Sequence, residues 1–201
     1  MNFSPAWLLK PTIFLLSSIP FLYLLYAAFL DPESLGANPV EYLTHETGSW
    51  SLRFLLLTLA MTPLRRWTKS SFPLKVRRLL GLFAFFYVSV HLLIYAVLDR
   101  ELDWSHLGED IIKRPFITIG FLAWLLLIPL AVTSTNAMMR RLGRRWKKLH
   151  KLVYLIAALG VGHYIWLVKK DLQEPLIYAA IFIMLMLLRL PAGMFKFRNK
   201  A

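Results

Sequence analysis

Long apolar runs separated by short polar blocks predict about six transmembrane helices. A bilayer core about 30 Å thick takes roughly 20 helical residues to cross, with a lower limit near 17. Pro11–Leu30 is the first uncharged run, with a kink expected at Pro20. It is too long for the apolar core of a signal peptide, and no small-residue cleavage site follows it. Trp50–Leu64 is the second run, short, with Arg53 near one end where a guanidinium can snorkel to the headgroups. Leu79–Leu98 is the third, interrupted only by His91, and Phe116–Val132 is the fourth. Leu152–Val168 is the fifth and holds His163; Pro175–Leu188 is the sixth, extended at its start by Leu172. No internal repeat or low-complexity segment is visible, so residues 1–201 read as a single all-α membrane domain.

Charge sets the orientation. The 201 residues are 58% hydrophobic yet carry a formal charge of +13, a combination that suits a membrane bundle with basic loops. Nucleic-acid binding is excluded as the reason, because the charges fall in short blocks between long apolar runs. With the N-terminus cytoplasmic, Lys10, the loop 65–78, the loop 140–151 and the tail from Arg189 collect 18 Lys and Arg and no acid. The other side receives 6 Lys and Arg and all 11 acids, the asymmetry of the positive-inside rule. An even number of crossings follows, with both termini inside and the loops 31–49 and 99–114 outside. In the second loop Trp104, Leu107, Ile111 and Ile112 recur at helical spacing, which predicts a helix lying on the membrane surface. The 7 Trp and 8 Tyr supply residues that favour the interfaces.

With no Cys, disulfides, iron–sulfur clusters and thiolate zinc sites are excluded, and any metal must rest on His or carboxylate. His45 and His106 fall in the external loops and read as solvated or capping residues. His91 lies 13 residues beyond Arg78, about 20 Å from the cytoplasmic edge at 1.5 Å per residue. His163 lies 13 residues beyond His150 on a helix running the same way, and so reaches nearly the same depth. Ionisable groups that deep are costly and usually functional. Two neutral imidazoles facing across a bundle supply both axial bonds of one heme iron. Phe83, Phe85, Phe86, Tyr87, Tyr95, Tyr154 and Tyr164 lie nearby in sequence and suit a porphyrin. Two other readings stay open: a buried His that only hydrogen-bonds a neighbour, and a proton path. His150, in a run of Arg and Lys, either ligates a second heme or faces lipid phosphates. Thirteen residues leave His150 and His163 on different faces of an ideal helix, so a shared role needs a bend, for which Gly160–Gly162 is the natural place, or a different partner helix. No nucleophile elbow, Walker loop or dinucleotide fingerprint occurs, and no soluble domain follows the sixth helix, so a flavin or nicotinamide module is expected on a separate protein.

Four stretches carry a family resemblance: LGANPVEYLTHETGSWSLRFLLLTLAMTPLRR (35–66), KVRRLLGLFAFFYVSVHLLIY (75–95), RPFITIGFLAWLLLIPLAVTST (114–135) and RRLGRRWKKLHKLVYLIAALGVGHYIW (140–166). In that order they resemble the MsrQ family, the heme-binding membrane subunit of the bacterial periplasmic methionine sulfoxide reductase system. That family belongs to the ferric-reductase-like transmembrane superfamily, which includes the membrane part of NADPH oxidases. The resemblance implies b-type heme in the inner membrane and electrons taken from the quinone pool, or from a cytosolic flavin reductase. It implies their delivery to a periplasmic molybdopterin subunit that reduces methionine sulfoxide in oxidised proteins. FMN is a further cofactor it suggests, and neither the FMN nor the quinone site maps onto residues. The family's heme histidines match His91, His163 and His150. NADPH oxidases carry two histidines on the third helix, whereas Arg78 stands 13 residues before His91 here. One heme on His91 and His163 is therefore expected, and a second, on His150, lacks an obvious partner.

Bis-imidazole ligation leaves no open iron position and favours electron transfer over oxygen chemistry. The cytoplasmic basic blocks suit anionic lipid first, and heme propionates or FMN phosphate as alternatives. Two other functions compete. A metalloreductase would use the same relay to reduce external ferric iron, and a transporter or assembly scaffold would have only structural histidines.

Overall fold

The computed structural model describes residues 8–168 and 170–189; the basic tail beyond them, and Lys169, counted above to the outer side, lie outside the described residues. Among the described residues the chain is all helix and loop, with no strand. The helices are α1 (Leu9–Leu30), α2 (Pro39–Thr68), α3 (Phe72–Ile94), α4 (Trp104–Lys113), α5 (Pro115–Val132), α6 (Asn136–Leu142), α7 (Arg144–Leu149), α8 (Leu152–Leu167) and α9 (Gln173–Leu187). A single π turn, Tyr95–Asp99, prolongs α3.

Four segments are long and apolar enough to cross a membrane: Leu9–Leu30, Phe72–Asp99, Pro115–Val132 and Arg144–Leu167. They match the first, third, fourth and fifth expected runs. The other two differ, each for a physical reason. Helix α9 is apolar but has only 15 residues. Helix α2 has 30 residues and begins well before Trp50, inside the stretch expected to be an external loop. Its start is capped: the Asn38 side chain accepts from the Glu41 backbone N–H, Pro39 occupies the first turn, and the Glu41 carboxylate accepts from Asn38 Nδ2. Helix α2 also sits inside the bundle, against α1, α3, α8 and α9. Because it faces protein rather than lipid, it tolerates buried Thr47, Ser49 and Ser51, and Ser51 Oγ donates to the Ala84 carbonyl of α3.

Helix α2 packs along α3, and α5 along α8; α3 then meets α5, and α2 meets α8. Small residues at the contacts, Ala84 and Ala157, are fully buried and let the backbones approach. Leu59, Val76, Tyr87, Ile156 and Val161 fill the core between them. By contrast Phe29 and Leu30 of α1 are 79% and 74% exposed, the pattern of a surface made for lipid. Pro20 lies inside α1, and there the Tyr87 hydroxyl enters the helix, donating to Ser17 O (2.8 Å) and accepting from Phe21 N–H (3.0 Å).

The helix expected in the loop 99–114 is α4, capped by Asp103, whose carboxylate accepts from the N–H groups of Ser105 and His106. The same carboxylate pairs with the exposed His106 ring at 2.7 Å and raises its pKa above the ordinary value. Trp104 and Ile112 point outward, while Asp110 is buried on the opposite side. Asp110 pairs with Arg100 Nη2 (2.6 Å) and Arg114 Nε (2.9 Å) and accepts from Tyr95 Oη (2.5 Å), clamping the end of α3 to the start of α5. Asp110→Ala should destabilise this end by about 2 kcal/mol. That is less than a wholly buried pair would cost, since both arginines reach water. Faster proteolytic cleavage between α3 and α5 would report it.

Candidate heme site

His91 comes from α3 and His163 from α8, the two helices expected to carry them to one depth. Their ring centroids lie 6.3 Å apart and their planes stand at 82°. His91 Nδ1 lies 2.8 Å from the Thr44 carbonyl of α2, and His163 Nδ1 lies 2.7 Å from the Phe116 carbonyl of α5. A carbonyl oxygen only accepts, so each Nδ1 must carry the hydrogen. In a neutral imidazole that leaves the lone pair on Nε2, and neither Nε2 has a hydrogen-bond partner among the described residues. Backbone contacts of this kind are how metal-binding histidines are held in one tautomer.

The spacing permits a stringent check. Histidine–metal bonds of about 2.0–2.1 Å, the zinc value that other first-row ions approach, plus about 1.1 Å from nitrogen to ring centre, place two opposed rings about 6.2–6.4 Å apart. The observed 6.3 Å falls in that interval. Among the described residues no cluster of three or more His, Cys, Asp or Glu could hold a bare metal ion. A two-histidine site of this span therefore suits a metal that brings its equatorial ligands with it, as heme iron does.

His150 is separate from the pair. It follows α7, stacks on Trp146 with ring centroids 3.8 Å apart, and places Nδ1 3.1 Å from the Trp146 carbonyl. Its Nε2 is buried without a partner. The helix is interrupted by a turn at His150 and Lys151, between α7 and α8, whereas α8 runs unbroken through Gly160 and Gly162, where the bend was expected. Arg78 is engaged with α6, through Asn136 Oδ1 (2.5 Å) and Met139 Sδ (3.7 Å).

His45 is not a loop residue but lies on α2, where its Nε2 stands 3.1 Å from Tyr164 Oη. Tyr164 donates to Glu174 (2.6 Å), so it accepts from His45, and the three residues tie α2, α8 and α9 together beside His163. On the same side Arg53 bonds the Tyr178 hydroxyl (2.8 Å), lies over the Trp50 ring and approaches Glu46 at 3.8 Å. Arg53 is thus held by protein groups rather than reaching to headgroups. Sequence reasoning also missed Gly48 and Gly120, which lie against the His91 and His163 rings.

Residues 47–161 match the family described as ferric reductase like transmembrane component. The protein-methionine-sulfoxide reductase heme-binding subunit MsrQ of Herminiimonas arsenicoxydans is 47% identical over 196 residues, 94% of this chain and 89% of that one. The protein of the same name from Xanthomonas euvesicatoria pv. vesicatoria is 54% identical over 154 residues, 77% of this chain and 71% of that one. The fold, the paired histidines and these likenesses agree: the chain belongs to the MsrQ family, within the ferric-reductase-like transmembrane group.

Proposed function

We propose that this protein is a heme b electron-transfer subunit of the bacterial inner membrane, passing electrons outward to a periplasmic molybdopterin methionine sulfoxide reductase. The observation that carries the reading is the pair of carbonyl-anchored imidazoles whose ring centroids lie 6.3 Å apart. Heme, when bound, supplies one-electron chemistry. His91 and His163 would hold it through Nε2, since each Nδ1 is committed to a backbone carbonyl. Thr44 and Phe116 orient the rings through their carbonyls. The apolar bundle around them excludes water, and axial ligation with burial sets the potential.

The chain crosses six times in this reading, with both termini cytoplasmic. Helix α2 crosses within the bundle, and α9, shorter than the bilayer, completes the even number that the split of basic and acidic residues requires. The heme then lies in the outer half of the membrane, near the acidic loops where a periplasmic partner docks. Electrons arrive from the quinone pool or a cytosolic flavin reductase, and FMN is a further cofactor; both follow from the family likeness alone. His150 is kept as the ligand of a second, inner heme, since its buried Nε2 is free, while Arg78 stands where a partner histidine would be.

Purified protein should show a b-type difference spectrum between dithionite-reduced and oxidised states. Reduced protein should be reoxidised by methionine sulfoxide only when the periplasmic reductase is added. A colourless preparation would refute the reading and leave a scaffold or transporter. Reoxidation by ferric iron, with no response to the reductase, would make the chain a metalloreductase.

A further inference from the structure

The two halves of the heme site are copies of one arrangement. His91 follows Thr44 by 47 residues, and His163 follows Phe116 by the same 47. Gly48 lies one turn beyond Thr44, and Gly120 one turn beyond Phe116. A shift of 72 residues therefore carries carbonyl, glycine and histidine of the first half onto those of the second. Helix α2 grips the histidine of α3 just as α5 grips the histidine of α8. The flanking residues differ, THETGSW against FITIGFL, which hides the repeat from the sequence.

We infer that Gly48 and Gly120 are positioning residues that set the orientation of the two axial imidazoles. A Cβ on Gly120 would stand 2.8 Å from His163 Nδ1, 3.0 Å from Cε1 and 3.1 Å from Cγ. A Cβ on Gly48 would stand 3.0 Å from His91 Nδ1 and 3.2 Å from Cε1. Each glycine N–H bonds the carbonyl four residues back, the same oxygen that accepts from the imidazole. Without a side chain at the glycine, the ring reaches that oxygen in the lee of the helix. With one, the ring must turn or withdraw, since its other end is committed to the metal. The carbonyls thereby fix the ring azimuths at 82° to each other. Near-perpendicular axial planes give low-spin ferric heme a strongly anisotropic paramagnetic resonance signal, whereas parallel planes give an ordinary rhombic one.

The inference rests on heme binding by this pair, and the experiment separates the two. Gly120→Ala and Gly48→Ala are compared with Gly162→Ala and Gly160→Ala. These controls lie on the helix of His163, where a Cβ meets only Ile119 Cδ1 at 3.8 Å and Leu52 Cδ1 at 3.6 Å. Heme per protein, the ferric resonance spectrum and the midpoint potential are read on full-length, detergent-purified protein. Gly120→Ala should retain heme about 10- to 100-fold more weakly, in the range for loss of a partner that orients a metal ligand. What heme remains should show a changed resonance signal and potential. Gly48→Ala, with the looser contact, should keep more heme but show the same spectral change, which decides the matter if Gly120→Ala does not fold. Both controls should match the parent. Parent-like resonance spectra in Gly48→Ala and Gly120→Ala would overturn the inference, as would equal losses in the controls, which would mean general helix packing. A parent without heme would instead refute the proposed function.

Discussion

His163→Ala is expected to remove the b-type heme from the purified protein, and His91→Ala to do the same. In the proposed site each ring would supply one of the two protein bonds to the iron, and no other His stands free to replace it: His45, though close to the pair, is committed to Tyr164, His106 lies on α4 and His150 stacks on Trp146. Losing one ligand also strands the other, because His91 and His163 are fixed by separate helices and cannot move to share the load. Heme per protein should fall at least tenfold, since partners that only orient a metal ligand are already worth about 10- to 100-fold. The protein should still fold, since both rings sit beside helices whose main contacts lie elsewhere in the core. Free imidazole should restore part of the absorbance to either variant by entering the space the ring vacates. His150→Ala should leave the absorbance of the heme proposed for His91 and His163 intact; a partial loss of heme per protein would favour the proposed second heme. Intact heme bands in both His91→Ala and His163→Ala would show that the iron is held elsewhere.

Much of this was legible in the sequence because lipid imposes a simple code. Helices that face the bilayer must be apolar along their length, so Leu9–Leu30 and Pro115–Val132 stand within two residues of the expected runs. The depth of His91 and His163 follows from residue counting along helices. Helix α2 was read short because it is surrounded by protein and carries Thr47, Ser49, Ser51 and Arg53, which break the apolar pattern without breaking the helix. Its start was nonetheless written in Asn38-Pro39-Val40-Glu41, a cap, a first-turn proline and an acid at the third helical position. His45 was misplaced for the same reason: once α2 is extended, it falls on the inner face, in reach of Tyr164. The glycine cradle could not be read at all. Its acceptors are backbone carbonyls, which have no sequence signature, and a glycine in a membrane helix has many uses. Only the pairing of α2 with α3, and of α5 with α8, brings each glycine to its ring.

Tyr87→Phe should be the most damaging change outside the ligands, although it removes a single oxygen. Pro20 has no N–H and its ring pushes the preceding turn of α1 open. Into that opening the Tyr87 hydroxyl inserts, taking the hydrogen bond of Phe21 N–H and giving its own to Ser17 O, the two groups an unbroken helix would have joined directly. Tyr87 has no exposed surface, and its ring packs on Phe54 at 5.2 Å and Phe86 at 5.3 Å. Phenylalanine would keep that packing and lose only the bridge. Two backbone groups would then be unpaired in an apolar setting, at about 1–3 kcal/mol each, so a loss of about 2–6 kcal/mol is expected, the lower end if α1 closes on itself. An SDS unfolding titration followed by helicity would show the midpoint fall. Because His91 lies one turn beyond Tyr87 on α3, following heme absorbance in the same titration asks a second question. If α1 loosens alone, helicity should fall before heme is lost. If the aromatic cluster and the heme site melt together, the two curves should coincide, and a parent-like midpoint by both probes would mean that the hydroxyl bridge contributes nothing.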